Sequence, residues 1–193
     1  MSTELYKGKL VRLCSEDPQV MAEAFARWNQ NSEYIRLLDS DPAHLWSAKK
    51  FKEWIEKELD SALPNNLLFS IRKLAEDKLI GFIAFDGINW TDRDSYVAIG
   101  IGEQDFWSKG YGSEAMRLML RYGFTELNLH RISLTVFEQN PRGIRSYEKC
   151  GFKHEGRIRE FLLRDGRRSD MLHMGILRRE WELLGNTEKG NSV

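Results

Sequence analysis

Two cysteines in 193 residues, Cys14 and Cys150, exclude a disulfide framework and a cysteine-rich zinc site. Proline is equally sparse: Pro18, Pro42, Pro64 and Pro141 are scattered, and none lies in a Gly/Ser-rich linker. No apolar run approaches the ~18 residues that a membrane helix needs. The opening MSTELYKGKLVRL lacks a continuous apolar segment of signal-peptide type, so a cytoplasmic protein without a membrane partner is expected. An excess of one charge is missing as well. Twenty-nine basic and 29 acidic side chains cancel, which removes the cationic surplus of a general nucleic-acid binder. His44, His130, His154 and His173 are not spaced as metal ligands, so no metal is expected.

What is present is a folding composition, 41% hydrophobic and 30% charged, with no repeat or low-complexity run. Residues 1–185 read as one domain and residues 186–193 as a flexible C-terminal tail. Residues 9–13 alternate as a strand does. Asp17-Pro18 is a cap followed by proline at the first helical position, and Val20, Ala24 and Trp28 then recur at four-residue spacing. A second helix follows Ser47, with Phe51, Trp54, Ile55 and Leu59 on one face, and Pro64-Asn65-Asn66 breaks it. Residues 67–74 and 79–88 read as a hairpin, and residues 96–101 as a further strand.

The period then becomes strand, glycine loop, helix, strand, helix. Gly110-Tyr111-Gly112 leads into a helix over residues 113–127, and residues 131–137, RISLTVF, are a β-branched strand. Pro141 opens a shorter helix that Gly151 ends. Residues 152–163 and 169–177 form a last hairpin around Asp165-Gly166, with a turn of helix over 177–184. This order gives an α/β (α+β) fold with a mixed, mostly antiparallel sheet and one parallel crossover.

The crossover loop is chemically suggestive. Two glycines let the backbone curl with its N–H groups inward, at a helix N-terminus carrying roughly half a positive charge, which suits a phosphate. The P-loop spacing is absent, and the dinucleotide pattern G-x-G-x-x-G fails because Ala115 holds its third glycine position. About 30 residues on, Asn140-Pro-Arg-Gly143-Ile-Arg-Ser-Tyr147-Glu-Lys-Cys150-Gly151-Phe152 follows a strand end.

Together the two segments resemble the GNAT N-acetyltransferase superfamily. The first matches its acyl-CoA pyrophosphate motif, Gln/Arg-x-x-Gly-x-Gly/Ala, and the second its Asn…Tyr…Gly-Phe helix. Trp107 departs from the first, standing where Gln or Arg is usual. Leu129-His130-Arg131, Glu155-Gly156-Arg157 and Asp165-Gly166 with Asp170, Met174 and Gly175 look like the Rim-type branch that acetylates ribosomal-protein N-termini. Spermidine acetyltransferases share the Tyr-Glu-x-Cys-Gly-Phe run.

The resemblance implies a seven-stranded sheet with helices on both faces and a V-shaped splay between strands 4 and 5. It implies acetyl-CoA as co-substrate, its pantetheine paired with backbone at Ile99, Gly100 and Ile101. The pyrophosphate then lies on Trp107, Ser108, Lys109, Gly110, Tyr111, Gly112 and Ser113. Tyr147 is the expected general acid toward the departing thiolate, with Asn140 bonding the pantetheine or orienting Tyr147. Glu103 is the first candidate for general base, then Glu138 and Asp94. Cys150 has no histidine beside it in sequence and reads as a packing residue. The acceptor site is expected between the N-terminal helices and the last hairpin, where Glu33, Tyr34, Asp86, Arg159 and Asp170 are available and Trp46 or Trp90 can add a wall. The preferred reading is acetyl transfer to a protein or peptide N-terminus by direct attack in a ternary complex. A small amine (polyamine or aminoglycoside) is the alternative, and a non-catalytic acyl-CoA sensor a further one. Monomer and homodimer are both compatible with the sequence.

Overall fold

The computed structural model describes residues 4–59 and 65–190. Seven strands run along the chain: β1 (Val11–Cys14), β2 (Leu67–Lys73), β3 (Leu79–Asn89), β4 (Asp94–Ile101), β5 (Arg131–Phe137), β6 (Lys153–Arg164) and β7 (Arg167–Leu177). Six helices accompany them: α1 (Pro18–Trp28), α2 (Ser32–Leu38), α3 (Ala48–Leu59), α4 (Tyr111–Thr125), α5 (Pro141–Lys149) and α6 (Arg178–Gly190). The strands form one sheet in the order β1-β2-β3-β4-β5-β7-β6. Every neighbouring pair is antiparallel except β4–β5, which α4 connects as a parallel crossover.

Side chains alternate across the sheet and feed two cores. On one face Ile83, Phe85, Ile132 and Met174 pack with Met116, Met119 and Phe124 of α4. On the other, Leu79 and Phe82 pack with Phe25 and Trp28 of α1, Tyr34 of α2 and Ile55 of α3. A bulge makes this possible at the start of β3. Arg72 pairs with Leu79 and Ile71 with Gly81, leaving Ile80 as the extra residue, so Leu79 and Ile80 serve opposite cores.

The first turn of α4 is tied to the N-terminal segment. The Glu114 carboxylate accepts hydrogen bonds from the backbone N–H groups of Lys9 (3.0 Å), Leu10 (2.6 Å) and Val11 (2.8 Å). A Cβ at Gly8 would lie 2.6 Å from that carboxylate, so a larger residue there would push Glu114 off these donors. Glu114→Ala leaves these donors unpaired, one of them on the fully buried Val11. We expect a loss of about 2–4 kcal/mol in denaturant unfolding. A loss below about 0.5 kcal/mol, the range of ordinary surface substitutions, would show that β1 is held by its pairing with β2 alone.

Three local expectations change. Residues 32–38 form α2, which the sequence pattern did not reveal because two turns are too short for a readable period. The Asn31 side chain starts it by accepting from the N–H groups of Glu33 (3.0 Å) and Tyr34 (3.2 Å). The last helix extends to Gly190, past the turn expected over 177–184. Glu180 secures its start by accepting from Leu177 N–H, and Trp181 packs on Phe124 with ring centres 5.3 Å apart. Trp54, on the expected apolar face of the second helix, is 41% exposed at the rim of α3. Pro64 lies outside the described residues.

Candidate active site

The strands β4 and β5 pair only at Asp94–Arg131, Ser95–Ile132 and Tyr96–Ser133. Beyond Tyr96, β4 stays on β3 as far as Ile101, and β5 stays on β7 as far as Phe137. The two therefore diverge, and a cleft of about 730 Å³ opens between them. Antiparallel phase decides what β4 presents to it. Gly102 N–H bonds to Ile80 O at 2.9 Å, so even-numbered residues face β3, and the N–H and C=O groups of Ile99 and Ile101 face the gap. The indole of Trp107 donates to Ile101 O at 2.5 Å. What remains is a free strand edge suited to an amide-bearing chain.

The helix behind this edge lacks a side-chain cap. Asp17, Asn31 and Asn140 cap α1, α2 and α5, whereas α4 begins at Gly110 with φ +88° and no side-chain acceptor. Ser108 also has positive φ (+59°), which curls the loop so that its backbone lines the cleft. An uncapped helix N-terminus on a cleft is an anion site in waiting. Of the residues expected to hold the pyrophosphate, Trp107, Ser108, Gly110, Gly112 and Ser113 line the cleft, as do Ile99, Gly100 and Ile101. The side chains of Lys109 and Tyr111 do not. Lys109 is exposed on the loop, and the Tyr111 ring packs against Phe106, 5.4 Å away.

The opposite wall is α5. Asn140 lines the cleft, but its side-chain oxygen accepts from Gly143 N–H at 2.9 Å, so its established contact is the helix cap. Glycine at 143 allows this, because a Cβ there would lie 2.7 Å from the Asn140 amide nitrogen. The Ser113 and Ser146 hydroxyls meet at 2.7 Å and join the two helices. Tyr147 faces the cleft with its ring edge-on to Phe152 at 6.1 Å. Burial, with a smaller contribution from Cys150, pushes its phenol up to about 12, so it is a neutral donor across the working range. Burial likewise raises the Cys150 thiol to about 11, and its sulfur donates to Ser113 O at 3.4 Å, which fits a packing role.

A cationic face was missed by the sequence reading. Arg142, Arg145 and Lys149 line the cleft on one side of α5, at the three- and four-residue spacing that a helix aligns. Arg142 stacks 3.9 Å over the Trp107 ring and reaches Glu33 of α2 at 3.8 Å. Trp107 thus bridges the end of β4 to α5 where the family pattern has a polar residue.

The base candidates do not reach the cleft. Glu103 is bound by Arg27 (3.0 Å), the Trp28 indole (3.0 Å) and Lys78 (3.3 Å) at the foot of α1. Burial raises its pKa, but these three partners outweigh burial and hold it below the ordinary carboxylate value. It is a structural carboxylate. Glu138 accepts from Asp170 N–H at 2.9 Å and lies 3.7 Å from Arg157, while Asp94 sits where β4 is still paired. Asp170 is held by Arg157 at 2.9 Å, and Arg159 does not line the cleft. Trp46 packs on Phe51 and Trp90 is exposed at the β3–β4 turn, so neither forms a wall. Tyr34, Leu37, Leu38, Asp86 and Tyr96 do line the cleft. Among the described residues, Asp86 is the one carboxylate on the cleft wall.

A family model described as an acetyltransferase (GNAT) domain matches residues 9–153. The spermidine N(1)-acetyltransferase of Vibrio cholerae is 36% identical over 107 residues, covering 55% of this chain and 61% of that protein. The chain thus spans about six-tenths of the length of that relative. The uncharacterized N-acetyltransferase YnaD of Bacillus subtilis is 34% identical over 160 residues, 81% of this chain and 91% of that one. The solved structure of Vibrio cholerae spermidine N-acetyltransferase in complex with CoA and spermine superposes with a TM-score of 0.80. It is 26% identical and covers 91% of this chain and 99% of that one. With the splayed β4–β5 edge, the uncapped α4 and the Asn140-capped α5 in place, the chain belongs to the GNAT acetyltransferase family.

Proposed function

We propose that this protein transfers the acetyl group of acetyl-CoA to a primary amine of a small, multiply charged aliphatic amine such as a polyamine. The observation that carries the reading is the division of charge across the cleft. Arg142, Arg145 and Lys149 stand on the α5 wall, and Asp86 stands on the far side beside Tyr96, its partner in the β3–β4 register. Phosphates belong with the first set and ammonium groups with the second.

Each residue then has a task. The α4 N-terminus and the 107–113 backbone bind the pyrophosphate, and the Ile99 edge pairs with the amide-bearing arm. A backbone N–H at Ile99 or Ile101 donates to the carbonyl oxygen as negative charge develops there. Tyr147 gives its proton to the departing thiolate. With Glu103 bound elsewhere, the ammonium proton leaves through water in the open acceptor side. Asp86 stands opposite Tyr96, four residues from Gly100, about 13 Å along β4 at the usual strand rise. That separation suits a second ammonium rather than the reacting nitrogen. The kinship with a spermidine acetyltransferase supports the same acceptor class over the protein N-terminus favoured by sequence alone.

Thiol release measured with acetyl-CoA against monoamines, diamines, polyamines, aminoglycosides and an N-terminal peptide tests the reading. Polyamines should lead. Asp86→Asn should raise KM for di- and polyamines about tenfold and leave monoamines within about twofold, roughly 1–2 kcal/mol of charge pairing. Turnover of the peptide alone would replace this reading with N-terminal acetylation. Acetyl-CoA binding without turnover on any amine would favour the sensor.

A further inference from the structure

The hydroxyl of Tyr34 bonds to no described residue, although Tyr34 is only 4% exposed. Buried hydroxyls without a partner are uncommon, because desolvation is then uncompensated. Phenylalanine would fill the same space beside the Trp28 ring without that cost. The position of the oxygen is informative. A Cβ on Gly100 would lie 2.6 Å from it and 2.7 Å from the Phe82 ring, so the hydroxyl rests directly over Gly100.

Gly100 lies between Ile99 and Ile101, whose N–H groups point in the plane of the sheet into the cleft. The Ile99 and Ile101 side chains occupy the α4 face, where a Cβ added at Gly112 would lie 3.9 and 3.6 Å from them. A nucleophile approaching a carbonyl held at that edge must therefore arrive from the α2 face, over Gly100. Tyr34 is held there firmly. Its helix is tied to α5 through Glu33–Arg142 and to the β6–β7 hairpin through Arg36–Asp165 and through Arg164, which donates to the carbonyls of Arg36 and Asp39.

We propose that the Tyr34 hydroxyl receives the attacking amine, accepting one N–H hydrogen bond and thereby aiming the nitrogen lone pair at the acyl carbon. In the step, the N–C bond forms as the carbonyl pair moves to oxygen. The pair returns as the C–S bond breaks, sulfur takes a proton, and nitrogen loses one to water. Tyr34 exchanges no proton; burial holds its phenol far above the ordinary value. The assignment rests on the acyltransfer reading above but not on its acceptor class.

The test is Tyr34→Phe, which removes the hydroxyl and keeps the ring. Calorimetric affinity of the CoA-bound protein for the acceptor amine, and kcat/KM for that amine, should each fall about tenfold or more. CoA affinity and the pH profile should stay in place, and the melting temperature of Tyr34→Phe should be equal or higher. Unchanged amine affinity, including the case in which only kcat falls, overturns the assignment, as does an equal loss of CoA affinity. If the wild type acetylates only the N-terminal peptide, the small-amine reading fails, and the Tyr34 comparison is made on the peptide amine.

Discussion

Aspartate at position 110 is expected to weaken CoA binding about a hundredfold while leaving the free protein nearly as stable. Gly110 is the N-cap of α4 at φ +88°, where a non-glycine residue costs about 1–2 kcal/mol, though Asp is among the residues that best tolerate the left-handed region. As an N-cap, Asp also recovers part of that cost through the helix N–H groups. The space itself is not prohibitive, since the nearest atom to a new Cβ is Leu10 Cδ1 at 3.6 Å. The effect on binding is electrostatic. A carboxylate would occupy the very N–H groups that a pyrophosphate needs and would repel it at close range, on the order of 2–3 kcal/mol. Gly110→Ala separates the contributions: it shares the backbone cost but not the charge, and should bind CoA within severalfold of wild type. Equal affinities for the Asp and Ala variants in a calorimetric titration would remove the α4 N-terminus from the phosphate site.

Replacing Tyr147 by Phe should lower kcat by at least tenfold, about 1.4 kcal/mol or more of transition-state stabilisation, with CoA affinity barely changed. The hydroxyl is the one feature removed; the ring and its edge contact with Phe152 remain. The pH dependence has a definite sign. Because the folded phenol is held near 12, above the ordinary value of about 10, Tyr147 stays protonated through the alkaline range in which an amine acceptor becomes neutral. Wild-type kcat should therefore show no fall from Tyr147 ionisation below about pH 11. The stability linked to this group is fully present below pH ~10 and declines as pH rises toward 12, because the unfolded chain ionises first. An unchanged kcat in Tyr147→Phe would take this residue out of the acid role.

Some parts of the site were legible because local chemistry dictates them. Gly110 and Gly112 before a helix, and Asn140-Pro141 three residues before Gly143, are short-range signals, and both occur where the chain pattern places them. The position of Tyr147 on α5 follows from the same spacing. The cationic face of Arg142, Arg145 and Lys149 was equally available in the helical period. It was overlooked because a charge on a short helix usually means only a solvated face.

The acid–base candidates fared differently, since a carboxylate's role depends on what meets it in space. Glu103 lies two residues past the end of β4, next to the expected reaction centre in sequence. Arg27, Trp28 and Lys78 come from distant segments and turn it away. Asp86 shows the converse: it joins the cleft because β3 pairs with β4 in a register that sets it opposite Tyr96.

The sequence by itself determined the alternation of strands and helices, the glycine-opened helix and the family, because these rest on periodicity and on spacings within about a dozen residues. Only the tertiary structure decided that β4 and β5 part after Tyr96, that Trp107 bridges β4 to Arg142, and that α2 sets the Tyr34 hydroxyl over Gly100. These are contacts between segments 35 to 66 residues apart in the chain. They arise from strand register and helix docking, which no local pattern encodes.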